Sequence, residues 1–349
     1  MNFKRFWTIF IARNYEFFRD RSAFGWNFLF PFLLVAGFGV LFSGRGYSEY
    51  KIGVFPHKPG LVKVEKTRIP EAFQKIPYLK FIGFSTAAEG LEKLKHHKID
   101  FLLKMGHTPH EYWISETSPK GELVEKIFKA SLIPPNIEIN ARKNKIQGHP
   151  IRYIDWLFPG ILTMNMMFSS LWGVGYVVVR YRKNGVLKRL KATPLTALEY
   201  LTAQAVSRIF LLMFTLLVVW IGCDLIFSFR VKGAYIDLIL IFLVGSLSLT
   251  ALGLILASRG TSEEFCTGVL NFISWPMMFL SEVWFSIEGA PQWVKTLSQI
   301  FPLTHLLKAV RKVMHDGATL LDVGLEIAVL MGMTLVFLAT GAALFSWNK

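Results

Sequence analysis

Residues 181–200 read YRKNGVLKRLKATPLTALEY, and they stand between two long apolar runs, 157–179 and 209–229. A helix needs about 20 apolar residues to cross the hydrocarbon core, so both runs are membrane-span candidates. The segment between them carries Arg182, Lys183, Lys188, Arg189 and Lys191, with Arg180 just before it, against the single acid Glu199. A short loop this basic belongs on the cytoplasmic side of a membrane. Gly185 opens its inner pattern, Leu187 and Leu190 share a helical face, and Thr193-Pro194 closes it. The pattern predicts a short helix lying along the cytoplasmic surface, able to receive force from a soluble partner.

Working outward, composition agrees with a membrane protein. Of 349 residues, 52% are hydrophobic and only 18% charged, with a mean hydropathy of +0.40; soluble domains rarely carry so much apolar side chain. Six spans are expected, at 24–42, 157–179, 209–229, 236–257, 265–285 and 327–347, all helical because lipid offers backbone groups no partners. The run at 265–285 is the least regular, interrupted by Pro276 and bearing Glu282 near its end. Six spans put both termini on one side. Fourteen Lys and Arg fall in the segments that would be inside, including Lys4, Arg5, Arg13, Arg19 and Arg21 before the first span. Six fall in the short outside segments: Arg230, Lys232, Lys295, Lys308, Arg311 and Lys312. The positive-inside rule then predicts cytoplasmic termini. The net charge of +15 is largely this topology, and no aromatic-basic or zinc-finger pattern suggests nucleic acid.

The expected fold class is an α-helical polytopic membrane protein of six transmembrane helices, with a small extracytoplasmic α/β domain inserted between the first and second spans. Residues 1–23 set Phe3, Phe6, Trp7, Phe10 and Ile11 among basic residues at helical spacing, as an amphipathic helix in the inner interface would; a plain cytoplasmic start to the first span, 24–43, is the alternative. Two acids, Glu16 and Asp20, and a long polar lead argue against a cleavable signal. Residues 44–156 form the inserted domain, in which 52–55, 79–84, 99–105 and 112–115 read as strands and 86–98 and 119–132 as helices with Thr or Ser caps. Pro134-Pro135 marks its exit. Residues 157–349 form the five-span remainder, with the loop at 180–200, and 286–326 is long enough for short helices dipping into the outer leaflet.

Chemistry is sparse. No phosphate-cradling G-x-x-x-x-G-K-[ST] pattern, nucleophile elbow or HExxH occurs, so no catalytic residue is assigned and any energy source must come from another chain. Cys223 and Cys266 lie within expected spans as small apolar residues. The pairs His96-His97 and His107…His110 lack the converging ligands of a metal site, so no metal is expected. Asn165, Ser169, Ser170, Asn271 and Ser274 are polar positions on the second and fifth spans; they serve either helix–helix hydrogen bonds or a substrate path. Glu282, after the proline break, faces either a cavity or interfacial water. No Asn-x-Ser/Thr sequon occurs, which favours a bacterial origin.

The order of these features resembles the type-2 ABC exporter permeases (the ABC-2 membrane subunits), especially multidrug-type members with an extracytoplasmic domain. The resemblance rests on the basic start, Pro159-Gly160, NGVLKRLKATPL at 184–195, Ala257-Ser258-Arg259, PMMFLS at 276–281 and PLTHLLKAVR at 302–311. It implies a pore subunit, not an enzyme, in a bacterial inner membrane. A second permease copy would form a homodimer or pseudo-dimer, and a separate ABC ATPase would bind ATP and Mg; this chain would need no cofactor. A periplasmic adaptor is a further partner left open. The loop would be the coupling helix, docking through Gly185, Leu187, Arg189, Leu190, Thr193, Pro194 and Leu195. Asn165, Ser169, Asn271, Ser274 and Glu282 would line the substrate path. The chain departs from the pattern at Arg182-Lys183-Asn184, where many members carry acids, and at Glu282, where many carry Gly. The cargo expected is amphiphilic, drug-like or lipid-like. Alternatives are a permease for an ion or glycan, a membrane-anchored sensor, which would need a cytoplasmic output domain, and an intramembrane enzyme, which would need paired catalytic residues.

Overall fold

A computed structural model describes residues 2–41, 50–58, 60–61, 69–76, 78–106, 109–133, 152–259 and 262–344. The chain divides into two compact units, residues 1–44 with 150–349, and residues 45–149.

The first unit is helical. It opens with α1 (Phe3–Arg19) and α2 (Arg21–Leu41), separated at Asp20, where the backbone turns extended. After the second unit come α6 (Tyr153–Ser170), a π-helical segment (Leu171–Tyr176) and α7 (Val177–Lys183), which run on as one rod. The short α8 (Val186–Lys191) leads to the long α9 (Ala197–Phe227) and then α10 (Tyr235–Arg259). The rest comprises α11 (Glu263–Leu280), α12 (Gln292–Ser298), α13 (Pro302–Arg311) with a π-helical end (Lys312–Asp316), and α14 (Gly324–Leu344).

Among the described residues, five helices are long and apolar enough to cross a membrane: Phe24–Leu41, Tyr153–Lys183, Ala197–Phe227, Tyr235–Ile255 and Gly324–Leu344. The predicted span at 265–285 is not among them. Its helix, α11, has 18 residues, opens with Glu263 and Glu264, and contains Pro276. It stops at Ser281, and Glu282 follows with φ +62°, a left-handed conformation that no helix continues. The third run is longer than expected. Its helix begins at Ala197 because Thr196 and Glu199 form a capping box, in which each side chain accepts the other's backbone N–H. Residues 197–200, expected in the loop, are therefore helix.

The core of this unit sits where α6 and α10 meet. The α10 helix packs on α14, α13, α9 and the π segment, and α6 packs on α2, α9 and α13. Leu157, Phe158, Ile161, Met167 and Leu249 are buried there. A Cβ on Gly160 would meet the Val283 carbonyl oxygen at 2.7 Å, so the Pro159-Gly160 step admits a close backbone approach. The α1 helix packs along α9, yet Phe3, Trp7 and Tyr15 stay exposed.

The second unit is a five-stranded mixed sheet, built from β1 (Tyr50–Phe55), β2 (Gly60–Leu61), β3 (Leu79–Gly83), β4 (Phe101–Lys104) and β5 (Tyr112–Trp113), in the order β2-β3-β1-β4-β5. The central β1 pairs in parallel with β3 and β4, while β2 and β5 add antiparallel edges. Both faces are covered, as parallel strands require. Ile52, Val54, Phe81 and Phe101 lie in one core with Phe73 of α3 (Glu71–Gln74) and Val124 and Phe128 of α5 (Pro119–Ser131). Phe55, Phe84 and Leu102 lie in the other with Leu94 of α4 (Ala87–Lys95). Thr86 and Ser118 cap α4 and α5 through their hydroxyls. The strand β2 and the single turn α3 were not anticipated from sequence. Pro134-Pro135 and His107 lie outside the described residues.

Candidate functional site

Three features of the helical unit carry its chemistry. The first is the surface turn between the second and third runs. Gly185 adopts φ +70°, a left-handed conformation that suits glycine, and breaks α7 from α8. The helix ends within two turns, where Thr193 Oγ1 donates to the Leu190 carbonyl at 2.6 Å and Pro194 follows. Leu187 points inward, only 1% exposed, into a cluster with Val178 and Tyr200 that Leu190 and Leu195 join as half-buried members. Leu187 and Leu190, both among the expected docking positions, pack within the chain in this way. Helical spacing shows that they share a face, but the face is used by the chain itself. Lys188, Arg189, Lys191, Thr193 and Pro194 are exposed instead.

The cations before Gly185 are also engaged within the chain. Arg182 is buried and donates to the Ser258 carbonyl at 3.0 Å. Lys183 lies 3.4 Å from Glu263 and 3.7 Å from Glu264, at the N-terminus of α11. The Tyr176 hydroxyl donates to Glu263 at 2.7 Å. Arg182 and Lys183 thus link α7 to the end of α10 and the start of α11.

The second feature is a polar cleft among α2, α6, the π segment and α9. Asn165 donates to the Asn27 carbonyl at 3.4 Å, and Ser169 donates to the Asn27 side chain. Arg208 of α9 turns into this cleft and donates to the Ser169 carbonyl. The room for it comes from Gly173, because a Cβ there would run into the guanidinium. Gln204 donates to the Gly173 carbonyl at 3.3 Å. Two cavities, of about 240 Å³ and about 470 Å³, share Asn27, Trp172 and Arg208 in their walls.

The third feature is a cleft of about 460 Å³ walled by Trp156, Glu282, Arg311 and His315. Arg311 stacks 3.8 Å above the Trp156 ring, donates to the Glu282 carbonyl at 2.8 Å, and lies 3.7 Å from the Glu282 carboxylate. Glu282 also accepts the Ile287 backbone N–H at 3.0 Å. Burial lowers the Arg311 guanidinium to about 10, and burial together with the Arg311 charge holds the His315 imidazole below its ordinary value. Lys308 and Lys312 converge on the buried Glu326 at 3.5 and 2.8 Å.

The predicted path residues therefore do not form one group. Asn165 and Ser169 share the second feature, and Glu282 belongs to the third. Trp156 and Ser169 are about 20 Å apart along their helix at 1.5 Å per residue, so the two clefts lie at different heights. Ser274 is buried and spends its hydroxyl on the Leu270 carbonyl at 2.7 Å. Asn271, one turn before it, is exposed beside Phe272 and Trp275. Sequence reasoning counted Arg208 only as an inside charge and missed Asn27; an arginine at the start of an apolar run was the available signal.

The family described as ABC-2 family transporter protein matches residues 21–343. The daunorubicin resistance ABC transporter permease protein DrrB1 of Streptomyces coeruleorubidus is 23% identical over 53% of this chain and 66% of its own length. The probable multidrug ABC transporter permease YbhR of Escherichia coli strain K12 is 23% identical over 47% of this chain and 45% of its own length. The chain thus spans less than two thirds of the length of each relative.

Proposed function

The chain belongs to the ABC-2 family of transporter proteins and is a multi-pass membrane protein, and on that footing we propose that it is the permease subunit of an ATP-driven exporter. Its cargo is an amphiphile, drug-like or lipid-like, moved out of the cytoplasm or the inner leaflet of a bacterial inner membrane. A separate ABC ATPase supplies ATP hydrolysis, and a second copy of the permease completes the pore. The α11 helix is the sixth span, the termini are cytoplasmic and residues 45–149 lie outside. The excess of Lys and Arg in the segments assigned to the inside supports this topology.

The observation that carries the reading is the exposed basic surface of α8 on a chain without a phosphate-binding motif. Leu187 roots the helix in the permease, so a push on Lys188, Arg189 and Thr193 passes to α7 and α9 through Val178 and Tyr200. The α7 rod runs back into the π segment beside Arg208, so the element that leads into this turn also walls the polar cleft. Docking through cations on an exposed rim is governed by charge complementarity. The test is co-purification of the ATPase with the full chain from membranes. Stable retention by the wild-type chain supports the reading; a chain that never retains an ATPase, or hydrolyses ATP alone, overturns it.

A further inference from the structure

Among the described residues that line the polar cleft, Arg208 is a cation whose position brings it no acid, whereas Arg13 and Arg180 both meet Glu16. Among the described residues, no carboxylate lies within ion-pair distance of its guanidinium; its NH2 group bonds the Ser169 carbonyl, and its Nε atom is closed off from solvent with no partner. The two acids nearest in the cavity wall are engaged elsewhere. Glu16 is 2.5 Å from Arg13 and 3.8 Å from Arg180, and Asp20 accepts the Ser22 backbone N–H at 3.1 Å. An arginine at the edge of an apolar helix ordinarily extends towards headgroups and water. This one turns inward instead, into space left by Gly173 within a π-helical segment, a local distortion frequent at functional sites. A charge so placed weakens the resting fold unless something pairs with it.

The surroundings say what that partner is. Asn27, Asn165 and Ser169 provide polar groups beside the guanidinium, while Trp26 and Phe30, both exposed, and Phe168 and Trp172 line the same cavity of about 470 Å³. The cleft thus combines a cationic, hydrogen-bonding group with aromatic walls, of which Trp26 and Phe30 are exposed at the surface of the helical unit. We propose that this cleft binds an amphiphile by its anionic end, a carboxylate or phosphate held by Arg208, with its apolar tail against the aromatic side chains. The inference rests on the transporter reading and adds the charge class of its cargo. A guanidinium offers such groups two parallel N–H donors, a geometry that a neutral or cationic headgroup cannot use.

The test compares binding of radiolabelled palmitate with that of the neutral hexadecanol to the full purified chain, in wild type, Arg208→Gln, Arg208→Lys and Gly173→Ala. Wild type is expected to prefer palmitate at least tenfold. Arg208→Gln should abolish the preference and leave hexadecanol binding within twofold, while Arg208→Lys keeps part of it. Gly173→Ala retains the charge but displaces it, and should also weaken the preference, so the test survives if the glutamine variant fails to fold. Competition by phosphatidylglycerol, and not by phosphatidylcholine of equal chain length, identifies a bilayer lipid as occupant; no competition identifies a free amphiphile. Equal binding of both probes by wild type, or an unchanged preference in a folded Arg208→Gln, overturns the proposal. Retention of the ATPase by the same preparations separates the two readings: a retained ATPase without charge preference sinks only this inference, and a lost ATPase sinks the exporter.

Discussion

The backbone N–H of Asn2 donates to Glu199 Oε1 at 2.6 Å, so the carboxylate that closes the capping box of α9 also holds the first turn of α1. The amphipathic start of the chain and its third apolar run are therefore coupled through one side chain. Arg5 adds a second tie, to the Pro194 carbonyl.

Replacing Glu199 with Ala removes the acceptor of two backbone N–H groups, those of Asn2 and Thr196. The expected result is faster hydrogen exchange through α1 and the first turn of α9, with the mixed sheet unchanged. Exchange in α1 equal to wild type would show that packing on α9 alone holds it.

Two substitutions on α8 should have opposite consequences. Leu187→Asp buries a carboxylate among Val178 and Tyr200 and should destabilise the helical unit by about 2–5 kcal/mol, read as a lower melting temperature and poor recovery from membranes. Arg189→Glu changes an exposed charge and should leave stability within about 0.5 kcal/mol. It should instead weaken ATPase retention, more strongly at low salt than at high salt. Full retention at low salt by Arg189→Glu would remove that residue from the docking surface.

In the mixed sheet, Phe128 is fully buried against Phe73 and Phe101. Phe128→Ala should cost about 3–5 kcal/mol, as large core truncations do. Proteolysis should then cut within residues 50–133 at protease levels the wild type survives. Resistance equal to wild type would mean that the sheet draws its stability from elsewhere.

Topology is tested by labelling single cysteines at the exposed positions Ser85 and Lys120, in a background where the buried Cys223 and Cys266 are replaced. Impermeant reagent should reach both from outside intact cells. Labelling only after the membrane is opened would invert the proposed orientation.

What the sequence determined by itself is what depends on near neighbours along the chain. Apolar length sets the membrane-crossing helices, alternation and Thr or Ser caps mark the strands and helices of the mixed unit, and Gly185 with Thr193-Pro194 brackets the surface turn. These signals fail where they are short or mixed: β2 has two residues and α3 one turn, and α11 joins two acids and a proline to an apolar run. Only the tertiary structure decided which partner each side chain meets. The spacing of Leu187 and Leu190 defines a face, but whether Val178 and Tyr200 cover it depends on where α7 and α9 pass. Glu282 meets Arg311 only because the chain breaks left-handed after α11 and α13 returns beside Trp156. Arg208 turns inward because Gly173, on a different helix, leaves it room. Each outcome joins residues distant in sequence, and no periodicity carries that information.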